Sequence, residues 1–425
     1  MASSSSFSPL IALEVAAKFD LRDLPPDFYA NPYPYYEALR DFEPVRSMPD
    51  GTWFLTRYED ILPVYRDHKT FSSSKKIEFG LKFGPSPLLQ HHTTSLVFSD
   101  PPLHTRVRKA IVGALSQRHI AAMEPALAAL VDRLLDSMAS RREVDLIDDF
   151  AAAIPVEVIG NLLGVPHDER GALRQWSLDI LGALEPVLTQ ERGDNGNRAV
   201  EEMLVYLKGL VDDRRRALRN PETDVLTRLI LGEGEADAGG EGERLSENEL
   251  LHQCIFLLNA GHETTTNLIG NALHALTQWP DERAALAMAP HAESQLLKSA
   301  VEEFLRYESS NQLGNRIAMQ EVKIGRFRLP AGSLITIGIG AANRDPEQFP
   351  EPDVLKLDRD PNRHVAFGSG IHACAGMNLA RLEARVALSR FLRRFPDYAL
   401  RGAPVRGGRA RFRGFLHLPA TVEPR

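Results

Sequence analysis

Residues 367–376 read FGSGIHACAG, a histidine and a cysteine set among glycines. The sequence beyond Gly376, MNLARLEARVALSRFLRRF, has helical period, with Leu379, Leu382, Val386 and Ala387 on one side. Cys374 therefore falls at or just before a helix N-terminus, where the dipole and free N–H groups stabilise a thiolate. Gly368, Gly370 and Gly376 carry no side chain, so a flat body can approach the backbone closely. A thiolate offered on so bare a surface suits a metal ligand. A structural cysteine in a glycine-rich turn has the same local pattern. The second cysteine, Cys254, sits in an apolar run and reads as a small buried hydrophobe. Two cysteines alone form neither a four-cysteine zinc site nor an iron–sulfur centre. A disulfide between them is not expected in a reducing compartment.

Three other stretches join reactive residue types at usable spacing. In AGHETT, Ala260–Thr265, an acid, Glu263, precedes a hydroxyl, Thr264, within an apolar helical pattern. A carboxylate is expensive to bury, so it needs an ion-pair partner or a role with protons. In EEFLRY, Glu303 and Arg306 stand at i, i+3. On an exposed helix such a pair contributes under ~1 kcal/mol. In DPPLHTRVRK, Asp100 can cap a helix, Pro101 or Pro102 suits its first turn, and His104 and Arg108 share one face.

The elements that must hold these residues are mostly helices. Apolar positions recur at three and four around 118–140, 167–184 and 197–219. The longest pattern starts at Ser246, with Glu249 at capping-box spacing, and runs to Trp279 before Pro280, about 50 Å at about 1.5 Å per residue. It is apolar on nearly every face and must be buried. Residues 321–340 alternate with β-branched side chains and read as short strands. The first 20 residues read as a flexible tail, and the acidic, glycine-rich stretch 232–244 as a flexible loop.

Composition narrows the function. The 425 residues are 43% hydrophobic and 25% charged, with ample material for a large core. A net charge of −7 argues against nucleic-acid binding. Apolar runs fall far short of the ~20 residues of a membrane span, and the N-terminus has no basic region before its apolar run. No membrane anchor and a cytoplasmic location are expected.

In family order, H-x-x-x-R, A-G-x-[D/E]-T-T, E-x-x-R and F-G-x-G-x-H-x-C-x-G resemble the motifs of the cytochrome P-450 monooxygenases of the soluble bacterial type, over nearly the whole chain. The resemblance implies a mainly α fold with a small β-rich region, a single domain over residues 1–425, and haem b between the long central helix and the cysteine-loop helix. Cys374 would be the axial ligand. Phe367, Gly368, Gly376, Ala260 and Gly261 would line the haem, and a local bulge of the helix would free a carbonyl near Ala260. His104, Arg108, Arg316 and His372 would hold the propionates. Glu263 and Thr264 would deliver protons to oxygen. Glu303, Arg306 and Arg359 would brace the cysteine loop. Phe256, Asn259, Asn311 and Gln312 would border the substrate; Asn259 and the run Ser309–Gln312 depart from the family's usual residues and hint at polar anchoring. The implied reaction inserts one atom of O2 into a small organic substrate, with electrons from ferredoxin and an NAD(P)H-dependent ferredoxin reductase. Arg106, Lys109, Arg118, Arg363 and Arg381 are candidates for the donor's docking patch. A peroxide-driven peroxygenase and a haem-binding sensor or carrier are the alternatives.

Overall fold

The computed structural model describes residues 7–221, 224–231, 245–289 and 292–424, so the expected loop at 232–244 lies outside the described residues. The central helix spans Glu247–Gln278. Its capping box forms as read: the Ser246 hydroxyl accepts from the Glu249 amide at 3.2 Å, and the Glu249 carboxylate accepts from the Ser246 amide at 2.9 Å. Helices Ala153–Leu163, Leu173–Gly182, Gln190–Arg216 and Met377–Arg394 pack around it, which buries residues on nearly all its faces. The last of these follows the cysteine loop, so the two elements expected to sandwich the haem are neighbours.

The helical patterns at 118–140, 167–184 and 197–219 correspond to Gln117–Arg141, to a 3-10 turn His167–Ala172 leading into Leu173–Gly182, and to Gln190–Arg216. The last begins earlier than its apolar period because Thr189 caps it, accepting from the Arg192 amide at 3.2 Å.

One sheet has five strands in the order Val45–Ser47, Trp53–Leu55, Leu334–Gly338, Leu313–Ala318, Phe71–Ser72. Trp53 pairs with Ile335 in parallel, and Leu313 with Gly338 antiparallel. The N-terminal strands are two or three residues long, too short to carry a period of two, and their partners lie far along the chain.

The expectation of a loose tail over residues 1–20 is corrected for its described part. Pro9–Lys18 is a helix on Tyr33–Phe42, with Ala12 and Ala16 buried, and Phe19 stacks on Phe54 at 5.6 Å between ring centres. Burial of small apolar residues outweighs the serine-rich start. Among the described residues no helix is long and apolar enough to cross a membrane.

Candidate active site

Gly368 and Gly370 take left-handed φ angles of 66° and 70°. A Cβ at Gly370 would stand 2.5 Å from the Tyr65 carbonyl oxygen, so glycine is required there. The Cys374 amide donates to the Phe367 carbonyl at 2.9 Å, which closes the loop just before helix Met377–Arg394. Burial pushes the Cys374 thiol up, opposed by the Gly376 amide and the Arg108 and Arg381 guanidinium groups. A metal cation at the sulfur would complete its deprotonation. Cys254, by contrast, is fully buried in the core, and burial alone pushes its thiol up to about 12.

Four expected cationic or imidazole side chains converge beside this loop. The rings of His104 and His372 lie 4.2 Å apart. Arg108 donates to the Ala373 carbonyl at 2.6 Å. Arg316 projects from the strand Leu313–Ala318, 5.1 Å over the Tyr65 ring, and donates to the Asn315 carbonyl at 2.8 Å. His372 is driven down to about 3 by burial first, then by Arg316, His104 and Arg108, and its Nε2 has no partner. Buried donors gathered without an anion are what two carboxylates would satisfy. The residues present fit a haem.

The central helix supplies the opposite wall. Ala260 is exposed and Thr264 half-buried midway along a buried helix, so this face borders open interior space. The Thr264 hydroxyl donates to the Ala260 carbonyl at 2.9 Å. Gly261 is turned away: a Cβ there would meet Ile159 at 3.1 Å, so its smallness serves helix packing. The expected bulge is also corrected, because the helix continues as α-helix through residues 260–265. Glu263 is buried and pairs with Arg409. Burial pushes its carboxyl up, and Arg409 pulls it back. Sequence reasoning missed Arg409, although the alternating arginines of RARFR, residues 409–413, were a visible signal.

A family profile described as Cytochrome P450 matches residues 174–397. The chain belongs to the cytochrome P450 family. It is 36% identical to the vitamin D(3) 25-hydroxylase of Pseudonocardia autotrophica over 94% of this chain and 95% of that protein. It is also 36% identical to the 6-deoxyerythronolide B hydroxylase of Saccharopolyspora erythraea, over 88% and 91%. Among solved structures it resembles P450BioI in complex with a hexadec-9Z-enoic acid ligated acyl carrier protein, with a TM-score of 0.86 and 32% identity over 93% of this chain and 99% of that one. The protein is a P450 monooxygenase: with haem b it inserts an oxygen atom from O2 into a small organic substrate, using electrons from a redox partner.

In this P450 the E-x-x-R pair is wholly buried. Arg306 grips Glu303 through Nε at 2.7 Å and Nη2 at 2.8 Å, and its Nη1 donates to the carbonyls of Asn343 and Pro352. Arg359 Nε reaches both Glu303 oxygens at 3.2 and 3.1 Å. The Lys356 amide and Asn362 also donate to Glu303. Asn343 then accepts from the Val365 amide at 2.8 Å, two residues before the cysteine loop.

The four residues expected at the substrate separate. Phe256 is half-buried on the central helix, one turn before Ala260. Asn311 bridges to Phe412. Asn259 accepts from Ser177 at 2.8 Å and ties the central helix to Leu173–Gly182. Gln312 is withdrawn from the pocket: it donates to the Ser309 carbonyl at 2.7 Å and covers Gly340. Its polarity satisfies a turn of main chain, and the expectation of substrate contact is corrected. Of the proposed donor-docking cations, Lys109, Arg118 and Arg363 are exposed. Arg106 pairs with Glu249 at 2.6 Å, and Arg381 holds Glu302 at 2.7 and 2.8 Å while lying 4.9 Å over the Phe367 ring.

Proposed function

We propose that this single-domain P450 works in the cytoplasm as a hydroxylase of a largely apolar substrate, fed by a ferredoxin and an NAD(P)H-dependent ferredoxin reductase. Cys374 serves as the axial haem ligand, and His104, Arg108, Arg316 and His372 hold the propionates. The observation that carries this reading is the Cys374 loop itself: a partly buried cysteine just before a helix N-terminus, beside Arg108, Arg316 and two histidines whose ring nitrogens lack partners. Haem b bound there supplies the binding and reduction of O2 and the oxidising power for insertion.

The chain's own residues supply ligand, position and protons. Glu263, raised by burial and checked by Arg409, titrates closer to neutrality than a free carboxyl, as a proton donor should. Thr264 Oγ, on the open face near Ala260, can release the Ala260 carbonyl and fix a water that relays the Glu263 proton. Phe256, one turn before Ala260 on the same helix, keeps water from this face. The names of the two hydroxylase relatives support hydroxylation as the outcome. Lys109, Arg118 and Arg363 offer positive charge to an acidic ferredoxin.

The test is turnover of candidate substrates by haem-loaded protein with ferredoxin, reductase, NADPH and isotopically heavy O2. One heavy oxygen atom in the product is expected. Product formed with hydrogen peroxide but not with O2 and reductant would favour the peroxygenase alternative.

A further inference from the structure

The residues above the proposed haem site hold more positive charge than the monooxygenase reading uses. Lys75 is 1% exposed, and its carboxylate partner is Glu78 at 2.8 Å. Lys82 donates to the Glu185 main-chain carbonyl at 2.6 Å. Arg411 donates to the carbonyls of Leu184 and Leu313 and to the Asn315 side chain. Among the described residues neither Lys82 nor Arg411 has a carboxylate within ion-pair distance. The nearby Glu185 carboxylate is taken up by the Ala410 and Arg411 amides at 2.7 and 3.1 Å.

These cations form one group. Lys82 and Arg411 meet at the adjacent carbonyls of Glu185 and Leu184, and Lys75 stands at the start of the helix Lys76–Phe83 that carries Lys82. Burial pushes Lys75 down, Glu78 pulls it back, and Arg316 and Arg411 push it further. Lys82 is pushed down to about 8 by burial and then by Arg411. The strap 409–412 fixes their place. Arg409 reaches Glu263 on the central helix, Arg411 lies among the cations, and Phe412 joins a cluster with Phe79, Leu184 and Leu181, against which Phe98 packs. The group therefore stands between Glu263 and Arg316, at the edge of an aromatic patch.

We propose that the substrate of this P450 is an amphipathic carboxylic acid, its carboxylate held by Lys75, Lys82 and Arg411 and its apolar body laid against the Phe79–Phe412 cluster. The proposal rests on the monooxygenase reading of the same pocket and names its substrate class. Lys75 shares its charge with one carboxylate, and Lys82 and Arg411 bond only neutral oxygens, so a substrate carboxylate adds the charge-assisted hydrogen bonds that this group otherwise makes only through Glu78. A neutral substrate adds none of them.

The test is calorimetric titration of haem-loaded protein with octanoic, dodecanoic and hexadecanoic acids, each beside its methyl ester. At least one acid should bind about tenfold or more tightly than its own ester. Lys75→Met and Arg411→Gln should each lower acid affinity more than ester affinity and so remove most of that preference, and Arg411→Lys should keep it. Haem content and far-UV circular dichroism equal to wild type show that the variants are folded. Equal affinity for acid and ester in every pair, no binding of any acid, or a preference that survives both variants overturns the proposal. An acid preference without O2-dependent product supports this inference and defeats the monooxygenase reading; turnover of neutral compounds with no acid preference does the reverse.

Discussion

Two regions of this P450 bury charge in opposite ways. Beneath the cysteine loop, Glu303 accepts from Arg306, Arg359, Asn362 and the Lys356 amide, and the arginines spend their remaining N–H groups on main-chain carbonyls. Above the proposed haem site, Lys82 and Arg411 bond to neutral oxygens, and His92 Nε2 and His252 are buried without partners. A satisfied buried network fixes a shape. A buried cation that bonds only neutral oxygens can take up a carboxylate from another molecule. The first region reads as scaffold and the second as a binding surface.

The sharpest way to break this contrast is to attack the scaffold. Glu303→Ala leaves two buried arginines without their carboxylate and should cost about 3–5 kcal/mol in chemical denaturation, with loss of haem retention. A loss no larger than that of a surface ion pair would remove the distinction. Arg108→Ala should weaken haem retention without changing the axial ligand, which haem transfer to a scavenger protein measures. Retention equal to wild type would remove Arg108 from the propionate set.

Next in size are the proton-handling residues. Thr264→Ala should still bind haem and consume NADPH, but product per NADPH should fall roughly tenfold, about 1.4 kcal/mol, with hydrogen peroxide appearing instead. Unchanged coupling would exclude Thr264 from proton delivery. Arg409→Gln removes the cation that holds the Glu263 carboxyl down, so the Glu263 limb of the pH–rate profile should move to higher pH. Glu263→Gln should abolish that limb. A limb that stays in place in both variants belongs to another group.

The smallest effect sharpens the binding side. Lys82 is lowered to about 8, and the charges facing it are Arg411, Glu78, Glu185 and Arg192, with His92 beside it. Its positive charge is present below that value and lost above it. Affinity for an acid should therefore be level at pH 6–7 and fall as pH rises through about 8, by at most about tenfold per pH unit for one proton. Affinity for the methyl ester should not change. A flat profile for the acid would remove Lys82 from the anion site.

The fold and the cysteine loop were legible because their signals are local. Ser246 and Glu249 announce the central helix, and the glycines around Cys374 announce positive φ and close approach. Glu263 was legible as a buried acid, but its partner was not, because Arg409 lies far along the chain and only folding joins them. Gln312 was misread since a polar residue near a pocket looks the same in sequence whether it faces substrate or bonds a main-chain turn. The strands at 45–55 escaped because pairing over long separations, and not local period, makes them.

The central claim, that Cys374 carries the haem iron, is tested most directly by the carbon monoxide spectrum of the reduced protein. Wild type and Cys254→Ala should both show the red-shifted Soret band of thiolate ligation, because Cys254 is sealed in the core. Cys374→Ala should lose that band. A Cys374→Ala protein that keeps the band, or a Cys254→Ala protein that loses it, would contradict the account.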